Sequence, residues 1–238
     1  MSVKTKAATR PALSREVVAD RAVALADAEG LEAVTVRRLA TELGVTPMAL
    51  YWHFRTKEEL LAGLGERVLD SVRVPDPTGD WATDLRTALV ALVTAMRPHP
   101  QLAELVAERM LQHPHGRDLT EIALRTLADA GFAPGPASYL AMLALRTAIA
   151  LVTGDQVDDS GMTAEEREQQ QRQKTAMIRS LPPRQYPALV AHAEAMTYCS
   201  DVDLFFDLGI DHYIAGVKGM APAARRPADA RDQGRPAG

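Results

Sequence analysis

From residue 15 to 29 the apolar side chains fall at Val17, Val18, Ala22, Leu25 and Ala26, which is the spacing of one helix face. Ser14 supplies an N-cap, Glu16 an acid in the first turn, and Gly30 a C-cap. Thr35 caps a second short helix, 36–43, closed by Gly44. A third begins near Pro47 and runs through His53, and Lys57 opens a fourth, 58 to about 72. The segment RVPDPTGD, 73–80, concentrates Pro, Asp and Gly and reads as a linker. An amphipathic helix over 81–96 is stopped by Pro98 and Pro100, and further helices are expected at 101–111 and 118–130, the latter capped by Gly131. The stretch 134–154 is apolar on nearly every side, so it must be buried all round, by its own domain or by a partner subunit. Residues 155–174 are polar without an apolar stripe, a mobile loop or a solvated helix, and two more helices follow at 184–198 and 202–217. Nothing alternates with a strand period and nothing repeats.

The pattern therefore predicts an all-α protein. A disordered arm, 1–13, precedes a three-helix helix-turn-helix head, 14–61. A helical body, 62–219, and a disordered tail, 220–238, follow. Composition agrees: aromatics are only 5% of the chain, which favours helices over strands. With no run of about 20 apolar residues, no membrane span is expected. The start, MSVKTKAATRPALS, is basic but has no apolar core, so it does not read as a secretory signal. The lone cysteine, Cys199, excludes an internal disulfide framework and a cysteine-based zinc site. Together these features predict a cytoplasmic protein. The net charge of −4 argues against nucleic acid until its distribution is considered. Up to Lys57 there are nine Lys/Arg against six Asp/Glu, and after it eighteen against twenty-five. A positive head on a negative body suits phosphate contacts, which need local charge only.

The chemistry concentrates in TVRRLATELGVTPMALYWHFRTKEELL, 35–61. Two short helices about a glycine turn match helix-turn-helix geometry, with Leu39, Ala40, Leu43, Val45 and Leu50 packing them together. The outward face then carries Thr46, Met48, Ala49, Tyr51, Trp52 and His53. A packing reading would place Trp52 and Phe54 inside and leave Tyr51 a surface ring. The motif's context favours the outward reading, because Tyr and His reach phosphates and apolar atoms meet thymine methyls. Arg37 is placed to pair with guanine, Lys57 to meet phosphate, and Arg38 to be solvated or phosphate-facing.

Residues 14–61 resemble the DNA-binding domain of the TetR family of bacterial regulators, in which an aromatic-rich recognition helix leads into a Lys-x-x-Leu-Leu helix start. The Tyr51-Trp52-His53 run is similar to the tetracycline-repressor branch, and DLFFDLGIDHYIAGVKGM resembles its last helix. The resemblance implies DNA contacts at Thr35, Arg37, Thr46, Pro47, Met48, Ala49, Tyr51, Trp52, His53 and Lys57. It also implies a homodimer built on 134–154 and 202–217, a double-stranded operator, and a small-molecule effector bound in the body. Where the tetracycline repressors carry Gln-Pro-Thr, this chain has Pro47-Met48-Ala49, so its operator should differ.

The drug-holding positions differ too. The repressors' His, Asn, Phe, His and Gln align with Arg73, Ala88, Leu92, Val106 and Ala123, and Val106 cannot ligate the metal. His99, His113 and His115 are read as loop histidines. No metal and no cofactor are expected. The expected pocket is apolar, drawing on Leu92, Met96, Val106, Met110, Leu124, Ser138, Ala141, Met142 and Leu145, with Arg73 and Arg146 as its polar members. Arg146, inside an apolar helix, must pair with an acid, a backbone group or a ligand anion.

The expectation is a ligand-responsive regulator, most simply a repressor released by its ligand, with an activator of the same fold as the alternative. An enzyme finds no support: Gly-x-Ser-x-Gly, His-Glu-x-x-His and a phosphate loop are all missing. Glu165, Glu166 and Glu168 read as a solvated charge run, and Cys199 has no evident activating partner. A helical interaction scaffold would explain the helices but not Tyr51-Trp52-His53 beside Lys57.

Overall fold

The computed structural model describes residues 13–154, 163–197 and 201–222. These form twelve α-helices and no strand. Nearly all of the predicted arm and tail lie outside the described residues, as do 155–162 and Cys199.

The head is built from α1 (Arg15–Glu29), α2 (Val36–Leu43) and α3 (Pro47–Tyr51), and is joined to the body by α4 (Lys57–Asp70). Each of these starts where a side-chain oxygen takes an otherwise orphaned amide: Ser14 from Val17, Thr35 from Arg38, Thr46 from Ala49 and Thr56 from Glu59, all at 3.1–3.3 Å. Gly44 turns the chain between α2 and α3 with φ 63° and ψ 41°, a left-handed conformation that a β-carbon would strain. Val18, Ala22, Leu39, Ala40, Leu50 and Phe54 close the core of the head, and α4 adds Leu60 and Leu64.

The body comprises α5 (Trp81–Met96), α6 (Ala103–Arg109), α7 (Pro114–Asp129), α8 (Pro134–Gly154), α9 (Ala164–Arg179), α10 (Pro187–Ala191), α11 (Ala193–Thr197) and α12 (Val202–Met220). Helices α5, α7, α8 and α12 pack on one another, α6 lies against α4, and α9 packs with α10 and α11.

Several boundaries correct the sequence reading. Helix α4 stops at Asp70, not near 72, where the Ser71 hydroxyl donates to the Val68 carbonyl at 2.6 Å. The expected 101–111 helix is a 3-10 turn, Pro100–Leu102, followed by seven-residue α6. Helix α7 begins four residues early because Pro114 lacks the amide that a first helical position leaves unpaired. The expected 184–198 helix begins only at Pro187 and breaks at His192 into α10 and α11. The described part of the polar segment is helical: α9 opens on a capping box in which Thr163 and Glu166 satisfy each other's backbone amides, and Glu168 pairs with Arg172 at 2.5 Å.

Helix α8 is a further correction. It is long and apolar enough to cross a membrane by length and composition, although no unbroken apolar run suggested it. Its own domain buries one side of it, against α5, α7 and α12, while Tyr139, Met142 and Leu143 remain exposed in the protomer, the side left to a partner subunit.

Candidate DNA interface and ligand cavity

Packing inside the head decides which side chains can meet a partner. Phe54 is buried, and the Arg15 guanidinium lies 4.2 Å from its ring centroid. Arg15 also donates to the His53 carbonyl and to Glu59, both at 2.8 Å, so one side chain joins α1, the end of α3 and the start of α4. The Arg55 amide donates to the other Glu59 oxygen at 2.8 Å, and these two donors hold the Glu59 carboxyl below its ordinary pKa. With that end of α3 fixed, Met48 is 68% exposed, Tyr51 45% and Trp52 84%. Thr46 and Pro47 are exposed beside them, and Ala49 and His53 are half-buried. Trp52 therefore points outward and only Phe54 points in.

The two adjacent arginines separate cleanly. Arg38 is held by Glu29 at 2.5 Å and Glu42 at 2.9 Å, and Arg21 joins Glu42 from α1. The Arg38 pairing lowers the Glu42 pKa and raises that of Arg38. Arg38 thus locks α2 against the end of α1 instead of standing free in solvent. Arg37, on the exposed side of α2 beside Thr35, makes no such pair among the described residues. Lys57 is exposed at the first turn of α4.

In the body a cavity of about 310 Å³ lies among α5, α6, α7 and α8, within the range of small-molecule sites. Leu92, Met110, Leu124, Ser138, Ala141, Met142 and Leu145 line it, with Ala88 and Ala123 from the aligned drug-holding positions, and with the unforeseen Leu85, Leu89, Ala107, Leu119 and Thr120. Four expected members are elsewhere. Met96 and Val106 are wholly buried in the surrounding core. Arg73 is exposed in the linker. Arg146 faces solvent, 3.4 Å from the equally exposed Glu104. No charged side chain lines the cavity. Its hydroxyls bond within their own helices, Thr120 donating to Gly116 and Ser138 to Pro134 at 2.8 Å, so each keeps oxygen lone pairs to offer.

Head and body meet along α4 and through three histidines that the sequence reading left as loop residues. His99 bonds Asp27 of α1 at 2.8 Å, and Gln101 donates to the same carboxylate at 2.8 Å. His113 bonds Asp70 at 3.0 Å, and His115 donates to the Leu69 carbonyl at 3.1 Å. Burial raises the Asp27 pKa against the opposing pull of His99. Among the described residues no group of three His, Cys, Asp or Glu is placed to hold a metal ion.

An exposed reading helix on a three-helix head, carried by an all-helical body, defines a helix-turn-helix transcriptional regulator. Comparison with known proteins gives the family. Residues 18–64 match "Bacterial regulatory proteins, tetR family", and 74–221 match "Tetracyclin repressor-like, C-terminal domain". The chain belongs to the TetR family, whose members are DNA-binding, ligand-responsive regulators that act as dimers. It is 31% identical to the class C tetracycline repressor of Escherichia coli over 211 residues, covering 87% of this chain and 92% of that one. An HTH-type transcriptional regulator of Saccharopolyspora erythraea is 29% identical over 222 residues, 90% and 88% of the two chains. Among solved structures, Streptomyces coelicolor ActR in complex with actinorhodin aligns with a TM-score of 0.71 and 29% identity over 89% of this chain and all of that one. These relatives are regulators rather than enzymes.

Proposed function

We propose that this protein is a repressor whose dimer holds a palindromic operator and is released when a small, neutral, largely apolar ligand enters the cavity among α5–α8. The observation that carries this reading is the pairing of an exposed reading surface with an uncharged apolar cavity in one chain. Within the 14–61 head, Arg37 reads a guanine, Tyr51, His53 and Lys57 meet phosphates, and Thr35 and Thr46 stand beside them at the helix starts. The exposed Tyr139 and Leu143 of α8 and Leu204 and Leu208 of α12 form the dimer face, a concentration of apolar surface that a monomer seldom carries. The ligand complex of ActR supports a ligand in the 62–219 body. No metal or cofactor takes part, and the protein works in the cytoplasm. A ligand can release DNA only if it binds the released state more tightly than the bound one.

The deciding experiment measures retention of the intergenic DNA beside the protein's own gene across a salt series. A repressor gives specific retention that weakens steeply with salt and is lost in Arg37→Ala and Tyr51→Ala. Salt-independent association, or none with any duplex, overturns the reading. An activator of the same fold would retain the same DNA but raise transcription from it in a purified system.

A further inference from the structure

Resting on the reading that α3 enters the major groove, we propose that the operator half-site is recognised through the 5-methyl groups of thymine, touched by Met48 and Ala49. Hydrogen bonds from α3 to base edges play little part. A recognition helix reads bases with its N-terminal residues, and α3 has only five, about 7.5 Å of rise. Its first turn therefore does the reading. That turn offers Pro47, Met48 and Ala49, none of which carries a side-chain hydrogen-bonding group of useful strength. The neighbouring polar group, the Thr46 hydroxyl, stands before the helix as its cap, accepting from the Ala49 amide at 3.3 Å and keeping one O–H to donate. Tyr51 ends the helix and His53 lies just beyond it, not within it as the sequence reading had it, where Arg15 anchors the His53 carbonyl to the head. The thymine methyl is the apolar feature of the major-groove floor. Met48, with most of its thioether chain in solvent, is the side chain positioned to cover it.

The test starts from the full chain and a library of random duplexes, enriched by retention on the protein. In the recovered site each thymine is replaced in turn by deoxyuridine, which removes the methyl and nothing else. Losing one buried methyl contact weakens binding about fourfold. At least one replacement per half-site should do so, and Met48→Ala should make binding indifferent to that methyl. Met48→Gln, a change on an exposed side chain, should shift the preferred base there toward adenine, which a glutamine amide pairs with bidentately. A recovered site in which every deoxyuridine is tolerated within twofold overturns this inference while leaving the regulator reading intact. Recovery of no duplex overturns both.

Discussion

Gly65 of α4 and Leu105 of α6 meet backbone to backbone: a β-carbon on Gly65 would stand 2.5 Å from the Leu105 carbonyl oxygen. Two residues earlier on α4, Gly63 faces the head, and a β-carbon there would stand 2.6 Å from the buried Phe54 ring. Helix α4 is thus thinned on both sides, toward the reading head and toward the body. The thinning costs about 1 kcal/mol of helix propensity per glycine.

Gly65→Ala recovers that propensity but drives a methyl into a carbonyl that cannot turn aside. Overpacking of this kind costs roughly 1–3 kcal/mol, so the balance favours destabilisation. Thermal unfolding should show a lowered midpoint, and operator affinity should change because α4 and α6 are forced apart. Gly63→Ala should also weaken operator binding, by displacing Phe54 and the end of α3. Unchanged unfolding and binding in both variants would show that the contacts carry no constraint.

Arg37→Ala and Arg38→Ala should part company. Loss of a bidentate guanine contact costs about 1–3 kcal/mol of discrimination, so Arg37→Ala should relax base preference at one position and leave unfolding unchanged. Arg38→Ala frees Glu29, leaves Glu42 to Arg21 alone, and should lower the unfolding midpoint while sparing base preference. Competition binding against single-base variants of the operator, run beside thermal melts, distinguishes them.

The uncharged cavity predicts selectivity among dyes. Prodan, neutral and solvatochromic, should brighten on binding more strongly than the anionic anilinonaphthalene sulfonate at equal concentration. Ala123→Trp, which fills the cavity from α7, should abolish the prodan signal. Arg146→Leu should leave it unchanged, because that side chain lies outside the lining. Stronger binding of the sulfonate would contradict a neutral ligand.

The linker responds to acid. Asp84 accepts the Thr78 hydroxyl at 2.6 Å, the Thr78 amide at 2.7 Å and the Gly79 amide at 3.3 Å, and these bonds hold its pKa below the ordinary carboxylate value. A depressed carboxylate contributes stability that is present above the unfolded pKa of 3.8 and lost as pH falls through the folded value. Denaturant midpoints measured from pH 6 downward should therefore decline less steeply in Asp84→Asn than in the wild type.

At the alkaline end, Tyr213 donates to the Leu140 carbonyl at 2.7 Å, and burial pushes its pKa up to about 12. Its contribution is complete below 10 and disappears as pH rises through about 12. Tyr213→Phe should lose the hydrogen bond at neutral pH and show a shallower alkaline decline, as read by the same denaturant titration between pH 8 and 12.

The head was legible because its determinants are local. Ser14, Thr35 and Gly44 each act within three or four residues of their own position, so spacing alone reveals them. The cavity was only half legible. Leu92 and Met96 stand one turn apart on the same stripe of α5, yet one lines the cavity and the other is sealed in core. Which neighbouring helix covers each is a long-range matter that periodicity does not encode. Arg146 misled for a related reason: the apolar sequence around it suggested burial on all sides, whereas one side of α8 is open in the protomer and the guanidinium sits there. The junction histidines gave no local signal, since His99 and His113 find their acids 72 and 43 residues away.

The fourteen residues of α4 make a rod about 21 Å long. A rod of that length tilted by about 10° at its body end sweeps its far end through roughly 3.6 Å, close to the 3.4 Å between successive bases along a strand. The connection between body and head is therefore geared: a shift of roughly 1.3 Å at Gly65, about 7.5 Å from the body end, becomes at the tip the difference between being in step with the base pairs and being one rung off.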